Sequence, residues 1–290
     1  MLRHVTVGVD GSAESLAAAH WAAREALRRG VGLRVVHVWP RPLNPARSGA
    51  GHEHAEHVIG RVADGVRTSH PRLPVVERLV RDAAVDTLAV EAAESDLLVL
   101  GSRGLGGLRG FAVGSVSQRV LARSTSPVVL VRAGTTSATE HLPAADGVSP
   151  EEIPGLPYRD VVLGLDPEHP CDEPVEFAFA SARRLTAALR VVHTYRTPGG
   201  TTAPGGPRER EERAVAAALR PWREKFPEVT VTETVTEGHA AVELVRAAGR
   251  ACLVVVGRRA GDAHRGPYLG AVTHALLHHA VCPVAVVPHA

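Results

Sequence analysis

The chain has 290 residues, and its 33 basic and 31 acidic side chains leave a formal net charge of only +2. A charge this balanced provides no single-sign field to concentrate nucleic acid or an anionic membrane, and an aromatic content of 3% argues against base-stacking platforms. With 44% hydrophobic and 22% charged residues, the composition is typical of a globular protein and excludes a disordered one. The length favours two domains.

Cysteine usage and hydropathy point to the cytoplasm. Cys171, Cys252 and Cys282 are far apart in the sequence, so they form neither a disulfide framework nor a paired zinc spacing. The first residues show no apolar signal core, and no window contains the roughly 18 apolar residues of a membrane span. We therefore expect a cytoplasmic protein that does not bind membranes.

The sequence repeats itself at an offset of 156 residues. Residues 5–10 (VTVGVD) reappear as 161–166 (VVLGLD), and residues 33–38 (LRVVHV) reappear as 189–194 (LRVVHT). Such a repeat predicts two copies of one domain, over 1–133 and 158–290. The residues between them, 134–157, are rich in Thr, Ser, Ala, Pro and acidic residues and are predicted to be a linker.

Within each copy, short β-branched runs alternate with amphipathic stretches, which is typical of an α/β domain with a parallel sheet. Ser12 is the predicted cap of the first helix, whose core face would carry Leu16, Ala19, Ala23 and Leu27 before Gly30. Further helices are predicted over 56–68, 84–94 and 115–123. Strands are predicted over 5–10, 33–39, 75–80, 97–101 and 128–132.

Residues 101–117 (GSRGLGGLRGFAVGSVS) follow a buried strand and open a helix. A helix N-terminus offers free N–H groups and the positive end of its dipole to an anion, so this turn is a candidate phosphate cradle. A glycine loop without a ligand is the alternative. The Walker motif is absent, and Lys225 is the only lysine in the chain. The dinucleotide fingerprint is absent too, because the turn after the first strand reads Asp10-Gly11-Ser12.

These residues resemble the universal stress protein family. That family has Gly-x-x-Gly-x(9)-Gly-Ser/Thr after its fourth strand, and the matching residues here are Gly101, Gly104, Gly114 and Ser115. It also has Asp-Gly-Ser at the end of its first strand. The resemblance covers both copies and implies two tandem Rossmann-like domains, each a five-stranded parallel sheet of order 3-2-1-4-5, related to adenine nucleotide alpha hydrolases.

The resemblance also implies a nucleotide site in the first copy. Its ligand would be ATP, or AMP or ADP, and an accompanying Mg²⁺ would be carried by the nucleotide. Asp10 and Val38 would hold the adenosine part, and Val9 and Gly11, which flank Asp10, join the predicted binding set. The residues implied on the phosphate side are Gly101, Arg103, Gly104, Gly114, Ser115, Val116 and Ser117.

The second copy departs from this pattern at nucleotide-facing positions. By the 156 offset, Gly104 corresponds to Ala260 and Ser115 to Ala271. The other departures replace Gly11 by Pro167, Ser12 by Glu168 and Val38 by Thr194. Pro167 and Pro170 are predicted to delay the helix after the first strand of this copy. We expect the second site to be weak or empty.

Other clusters are assigned no ligand. The histidine and glutamate residues of 52–57 and the pair His274 and His278 have metal-ligand types, but an exposed loop and a solvated helix edge explain them. His37 and His193 occupy matched strand positions and are predicted to be packed and hydrogen-bonded. No metal site and no nucleophilic triad are predicted.

The resulting hypothesis is an ATP-binding regulatory protein of the stress response, not an enzyme. A slow ATPase or nucleotide-transferring enzyme is one alternative, and a nucleotide-free interaction scaffold is another. The last strands of the two copies, 128–132 and 284–287, are predicted to pair within the chain, since unpaired sheet edges require a partner. A homodimer is a further possibility, and the sequence indicates no particular protein partner.

Overall fold

The computed structural model describes residues 4–40, 48–102, 114–142, 155–196, 206–259 and 269–289. The chain divides into two compact units, with the boundary between Thr136 and Ser137. Each unit is an α/β domain in which helices alternate with the strands of a parallel sheet.

The first domain contains five strands in its described residues: β1 (His4–Val9), β2 (Gly32–Trp39), β3 (Val75–Arg81), β4 (Leu97–Gly101) and β5 (Val128–Val131). Its helices are α1 (Ala13–Arg29), α2 (Ser48–Ser69), α3 (Ala84–Ala93) and α4 (Ser115–Arg123). The strands pair in parallel in the order β3-β2-β1-β4-β5. This order confirms the predicted fold class.

The second domain repeats the arrangement. Its strands are β6 (Asp160–Gly164), β7 (Leu189–Tyr195), β8 (Val231–Glu237), β9 (Ala251–Arg259) and β10 (Val284–His289). Its helices are α5 (Ser137–Glu140), α6 (Asp172–Leu185), α7 (Gly206–Lys225), α8 (Ala240–Ala248) and α9 (Ala271–His279). The parallel order β8-β7-β6-β9-β10 is again 3-2-1-4-5 in the numbering of one copy.

Helix α1 begins and ends where the sequence predicts. The Ser15 amide donates to the Ser12 hydroxyl at 3.2 Å, and Gly30 ends the helix in the left-handed conformation (φ 68°). The predicted core face is wrong in part, because Leu16 and Leu27 are each 43% exposed. Small residues dominate the buried face instead: Ser15, Ala18, Ala19, Ala22, Ala23 and Ala26, with Trp21 and Glu25. They let the helix lie close to the sheet.

Two other segments differ from the sequence prediction. Helix α2 begins at Ser48, eight residues before the predicted start at 56. Its first turns contain glycines and histidines with little apolar periodicity, but the Trp39 ring packs against them, 5.6 Å from the His52 ring between centroids. Tertiary contact, rather than local propensity, stabilises the start of α2.

Within the predicted linker, α5 forms a four-residue helix.

A buried carboxylate connects α3 to two strands of the first domain. Glu91 is fully buried, and its two oxygens lie 3.0 Å from Arg34 Nη1 on β2 and 2.9 Å from Arg78 Nε on β3. Glu94, the residue that caps the carboxyl end of α3, is half exposed and lies 3.4 Å from Arg34. Glu91 therefore neutralises the two arginines on β2 and β3. Glu94 adds a second carboxylate near these arginines from the solvent side.

We expect Glu91→Gln to lower the free energy of unfolding of the first domain by about 2 kcal/mol. Removing one partner of a fully buried ion pair costs more than this, but here the partly exposed arginines regain some hydration when the carboxylate is lost. The matched substitution Glu94→Gln, at the C-cap of the same helix and near the same arginines, should cost less than about 0.5 kcal/mol. Urea unfolding of both variants checks this, and equal losses would contradict it.

A histidine pair joins α1 to the end of α2. The rings of His20 and His70 lie 6.2 Å apart between centroids. Burial lowers the pKa of His20, and Arg24 adds to the effect. The pKa of His70 is lowered by burial first, and then by the charges of His20 and Arg24.

Because the folded state disfavours protonation of both rings, stability should be complete above the ordinary histidine pKa of 6.5 and decrease as pH falls below it. The double variant His20→Gln/His70→Gln should flatten this loss between about pH 7 and pH 5. His54→Gln, an exposed position on α2, serves as the control. Thermal unfolding followed by fluorescence measures the effect, and a slope unchanged in the double variant would disprove it.

Candidate functional site

The candidate site lies at the carboxyl edge of the first sheet, defined here as the edge where β1, β2 and β4 end. Strands β1 and β4 are neighbours with parallel register up to the pair Gly8 and Leu100. The connections leave β1 and β4 in opposite directions across the sheet, so their ends form its topological switch point. Ligands of doubly wound α/β proteins bind at such a point.

Asp10 follows β1 directly and keeps part of its carboxylate available. The Ser12 amide and hydroxyl both donate to Asp10 Oδ1, at 3.0 and 2.5 Å. Among the described residues, the second oxygen, Oδ2, has no hydrogen-bond partner. The turn thus orients Asp10 through one oxygen and leaves the other able to accept from a ligand hydroxyl.

Gly11 and Val9 serve this turn through the main chain. Gly11 adopts a φ of 84°, which a side-chain-bearing residue rarely adopts. Arg61 of α2 reaches the Gly11 carbonyl at 3.5 Å. The Val9 carbonyl accepts from His37 Nδ1 at 2.7 Å, so the end of β1 is fastened to β2.

The His37 bond confirms that this histidine is packed and hydrogen-bonded. His193 occupies the same place in the second domain, where its Nδ1 donates to the Leu165 carbonyl at 3.1 Å. The histidine that recurs at the same position in both copies was the sequence signal that predicted these hydrogen bonds. His37 is the last β2 residue that pairs with β1. Val38 follows it, so the main chain at Val38 extends past the end of β1.

Gly101 has a packing role that sequence reasoning did not identify. A Cβ built on it would lie 2.9 Å from the main-chain carbon of Glu14 and the amide nitrogen of Ser15. Real Cβ atoms do not come this close to backbone. Because Gly101 has no side chain, the first turn of α1 can lie close to the end of β4. Ser12, which caps this turn, also donates to Asp10.

The amino terminus of α4 is fixed to the end of β4. The Gly114 amide donates to the Ser102 carbonyl at 2.8 Å, and the Ser117 hydroxyl donates to the Gly101 carbonyl at 2.9 Å. Ser117 is buried, so its hydroxyl is committed to this bond. Ser115 is exposed, and the first-turn N–H groups of Ser115, Val116 and Ser117 have no acceptor within the helix. A helix terminus of this kind is suited to an anionic ligand.

Two predicted residues, Arg103 and Gly104, lie outside the described residues. The structure places the other predicted residues at the carboxyl edge, on the three strand ends and the helix that follows. They are Val9, Asp10, Gly11, Val38, Gly101, Gly114, Ser115, Val116 and Ser117.

The corresponding edge of the second domain is built differently. Helix α6 begins only at Asp172, which confirms the delay predicted from Pro167 and Pro170. A Cβ at Gly257, the counterpart of Gly101, would lie 2.9 Å from the His289 ring and 3.1 Å from Pro174. Side chains therefore occupy the space beside this glycine. Ala260 lies outside the described residues.

The carboxylate that corresponds to Asp10 is also differently engaged. Asp166 accepts from the Glu168 amide at 3.1 Å, and its other oxygen lies 3.1 Å from His169 Nδ1. Ala271 follows Gly270 at the start of α9, so this terminus has no hydroxyl where α4 has Ser115.

Nearby, burial raises the pKa of the Cys171 thiol, and the carboxylate of Glu173 adds to the effect.

The fold and the site together define a tandem α/β protein whose first domain brings an aspartate and a helix amino terminus to its topological switch point. The universal stress protein family model matches residues 1–132 and 157–288. The chain belongs to the universal stress protein family, which confirms the resemblance found in the sequence. Among the described residues, no helix combines the length and apolar character needed to cross a membrane.

Relatives match over nearly the whole chain. A universal stress protein of Mycobacterium tuberculosis is 32% identical, with 97% of this chain and 96% of the relative covered. Another, from Mycolicibacterium smegmatis, is 31% identical over 98% of this chain and 96% of its own. The crystal structure of a universal stress protein from Archaeoglobus fulgidus has a TM-score of 0.71 at 17% identity, covering 99% of this chain and 98% of that one. This structural likeness supports the tandem fold.

Proposed function

We propose that the first domain binds ATP, or the related AMP or ADP, and that the protein acts as a nucleotide-dependent regulator of the stress response. The observation that carries the proposal is the pairing of two features at one edge. Within the part of the chain that the structure describes, Asp10 has one carboxylate oxygen without a hydrogen-bond partner after β1, and the amino terminus of α4 is fixed to the neighbouring strand β4. A nucleotide needs an acceptor for its ribose hydroxyls and donors for its phosphates, and this edge offers both.

The residues present fit such a ligand. Asp10 Oδ2 would accept from the ribose, and the main chain near Val38 would border the adenosine part. The N–H groups of Ser115, Val116 and Ser117, with the Ser115 hydroxyl, would donate to phosphate oxygens. Arg103 and Gly104 belong to the same proposed set. A Mg²⁺ ion would accompany the phosphates and neutralise part of their charge.

Binding without sustained turnover is part of the proposal. A cradle built from main-chain amides binds the phosphates of the ground state and of the transition state about equally, and such binding does not accelerate chemistry. The bound nucleotide would therefore persist as a signal. We place this function in the cytoplasm, because the three cysteines are far apart in the sequence and provide no disulfide framework, which is usual for a reducing compartment.

The proposal assigns one nucleotide to each chain. In the second domain the Asp166 carboxylate is engaged by His169, and Ala271 provides no hydroxyl. Each change removes a feature that the first domain offers to the nucleotide.

Native mass spectrometry of protein purified without added nucleotide, followed by calorimetric titration with ATP, tests the proposal. We expect co-purified adenine nucleotide or, after its removal, binding of one ATP per chain. No binding at millimolar ATP would refute the proposal. Two sites of comparable affinity would refute the assignment to the first domain alone.

A further inference from the structure

The turn between β6 and α6 differs from its counterpart in both length and chemistry. In the first domain α1 begins three residues after Asp10, whereas α6 begins six residues after Asp166. The longer turn, residues 166–171, reads DPEHPC. It consists of one aspartate, one glutamate, one histidine and one cysteine, which are the metal-ligating residue types, together with two prolines. The prolines restrict the main chain between these side chains.

Three of these side chains converge. The ligand atoms of Asp166, Glu168 and His169 all lie within 4.8 Å of one another. Donor atoms bound to a single zinc ion at about 2.0–2.2 Å lie about 3–4 Å apart, so a small side-chain adjustment would bring them into coordination. The Glu168 amide, which donates to Asp166 Oδ1 at 3.1 Å, holds the turn in the conformation that brings them together.

A separate contact anchors the far end of the turn. Cys171 Sγ lies 3.0 Å from His289 Nδ1 at the end of β10, and it also reaches the His169 carbonyl at 3.2 Å. The turn is thereby attached to β6 at one end and to β10 at the other.

The turn and the start of α6 are acidic, although the charge of Arg259 also acts on Cys171 at the end of the turn and opposes the rise in its pKa that burial causes. The segment 166–173 contains four carboxylates and neither lysine nor arginine. Two of them, Asp172 and Glu173, belong to the first turn of α6 and are close in sequence to the converging side chains. A divalent ion would offset the mutual repulsion of this segment.

We propose that the β6–α6 turn is a binding site for a divalent transition-metal ion, with Asp166, Glu168 and His169 as its protein ligands. One imidazole and two carboxylates form a donor set suited to Zn²⁺. The three side chains are exposed, so water completes the coordination. The site is independent of nucleotide binding in the first domain, and either could exist without the other.

Calorimetric titration of the full-length, chelator-treated protein with Zn²⁺ tests the proposal. We expect the wild type to bind one Zn²⁺ at this turn, with an affinity that falls at least about 10-fold in His169→Ala and in Asp166→Asn. His52→Ala is the matched control, because His52 and Glu56 form another exposed histidine–carboxylate pair, at 3.2 Å. His54→Ala is the second control, because His54 is an exposed histidine on α2, outside the proposed turn.

Thermal unfolding provides a second readout. Zn²⁺ should raise the Tm of the wild type and of both controls but not of the two ligand variants, since an ion that binds the folded state stabilises it. Asp166 and His169 have side chains that are 62% and 60% exposed, so their substitution should preserve the fold in the absence of metal. Equal Zn²⁺ affinity in wild type and ligand variants, or an equal loss in either control, would overturn the proposed site.

Discussion

Replacing Asp10 with asparagine should weaken ATP binding by the first domain by about 10- to 100-fold, the loss expected for one hydrogen bond to a charged group. In the free protein the asparagine oxygen can still accept from the Ser12 amide, so the turn and the cap of α1 should be retained. The new amide group would replace the oxygen that is proposed to accept from the ribose. The variant thus removes an acceptor while leaving its surroundings intact.

The second domain supplies the control. Asp166→Asn changes the residue that corresponds to Asp10, in a domain to which the proposal assigns no nucleotide, and it should leave ATP affinity unchanged. Calorimetric titration of wild type and both variants distinguishes the two sites. Unaltered binding in Asp10→Asn, or equal weakening in both variants, would show that the nucleotide is not held by the Asp10 edge.

Gly101→Ala should lower the free energy of unfolding of the first domain by about 1–3 kcal/mol, the usual cost of overpacking. The added Cβ would lie 2.9 Å from main-chain atoms of Glu14 and Ser15, and backbone cannot move aside as a flexible side chain can. Either α1 or β4 must shift. Because the first turn of α1 also positions Asp10, ATP binding should weaken together with stability.

Gly60→Ala is the matched control for this prediction, with the opposite expected sign. Gly60 lies inside α2, and a Cβ there would meet no atom within 4 Å. Replacing glycine by alanine in an open helix position should stabilise the domain by about 0.5–1 kcal/mol.

Both glycine variants can be compared by urea unfolding in a Trp222→Phe background. Trp21 and Trp39, the remaining tryptophans, then report the first domain alone. Stability equal to wild type in Gly101→Ala would mean that α1 and β4 are less closely packed than the structure describes.

Sequence periodicity predicted the α/β class with a parallel sheet, and the family resemblance supplied the strand order. Runs such as LLVLG of β4 are apolar throughout because both faces of a parallel sheet are covered, and the 156-residue repeat extended each assignment to the second domain. Capping chemistry is local, so Ser12 and Gly30 marked the ends of α1 correctly. The delay of α6 was equally predictable, because proline restricts its own main chain whatever surrounds it.

Tertiary packing decided which residues are buried and what each glycine does. The spacing of Leu16 and Leu27 matches a helix face, but close approach of α1 to the sheet turned the alanine-rich face inward and left both leucines 43% exposed. Gly101 fits the family motif as a phosphate-side residue, yet its immediate neighbour is the backbone of α1.

The sequence by itself determined the α/β class, the duplication, the family and the strand ends at which the candidate nucleotide residues lie, because each depends on local pattern or on a repeated motif. Only the tertiary structure decided that Ser117 donates to Gly101, that Asp10 has one oxygen without a partner among the described residues, and that a six-residue turn brings Asp166, Glu168 and His169 within 4.8 Å. These depend on distances between atoms of separate residues, and one-dimensional spacing does not specify such distances.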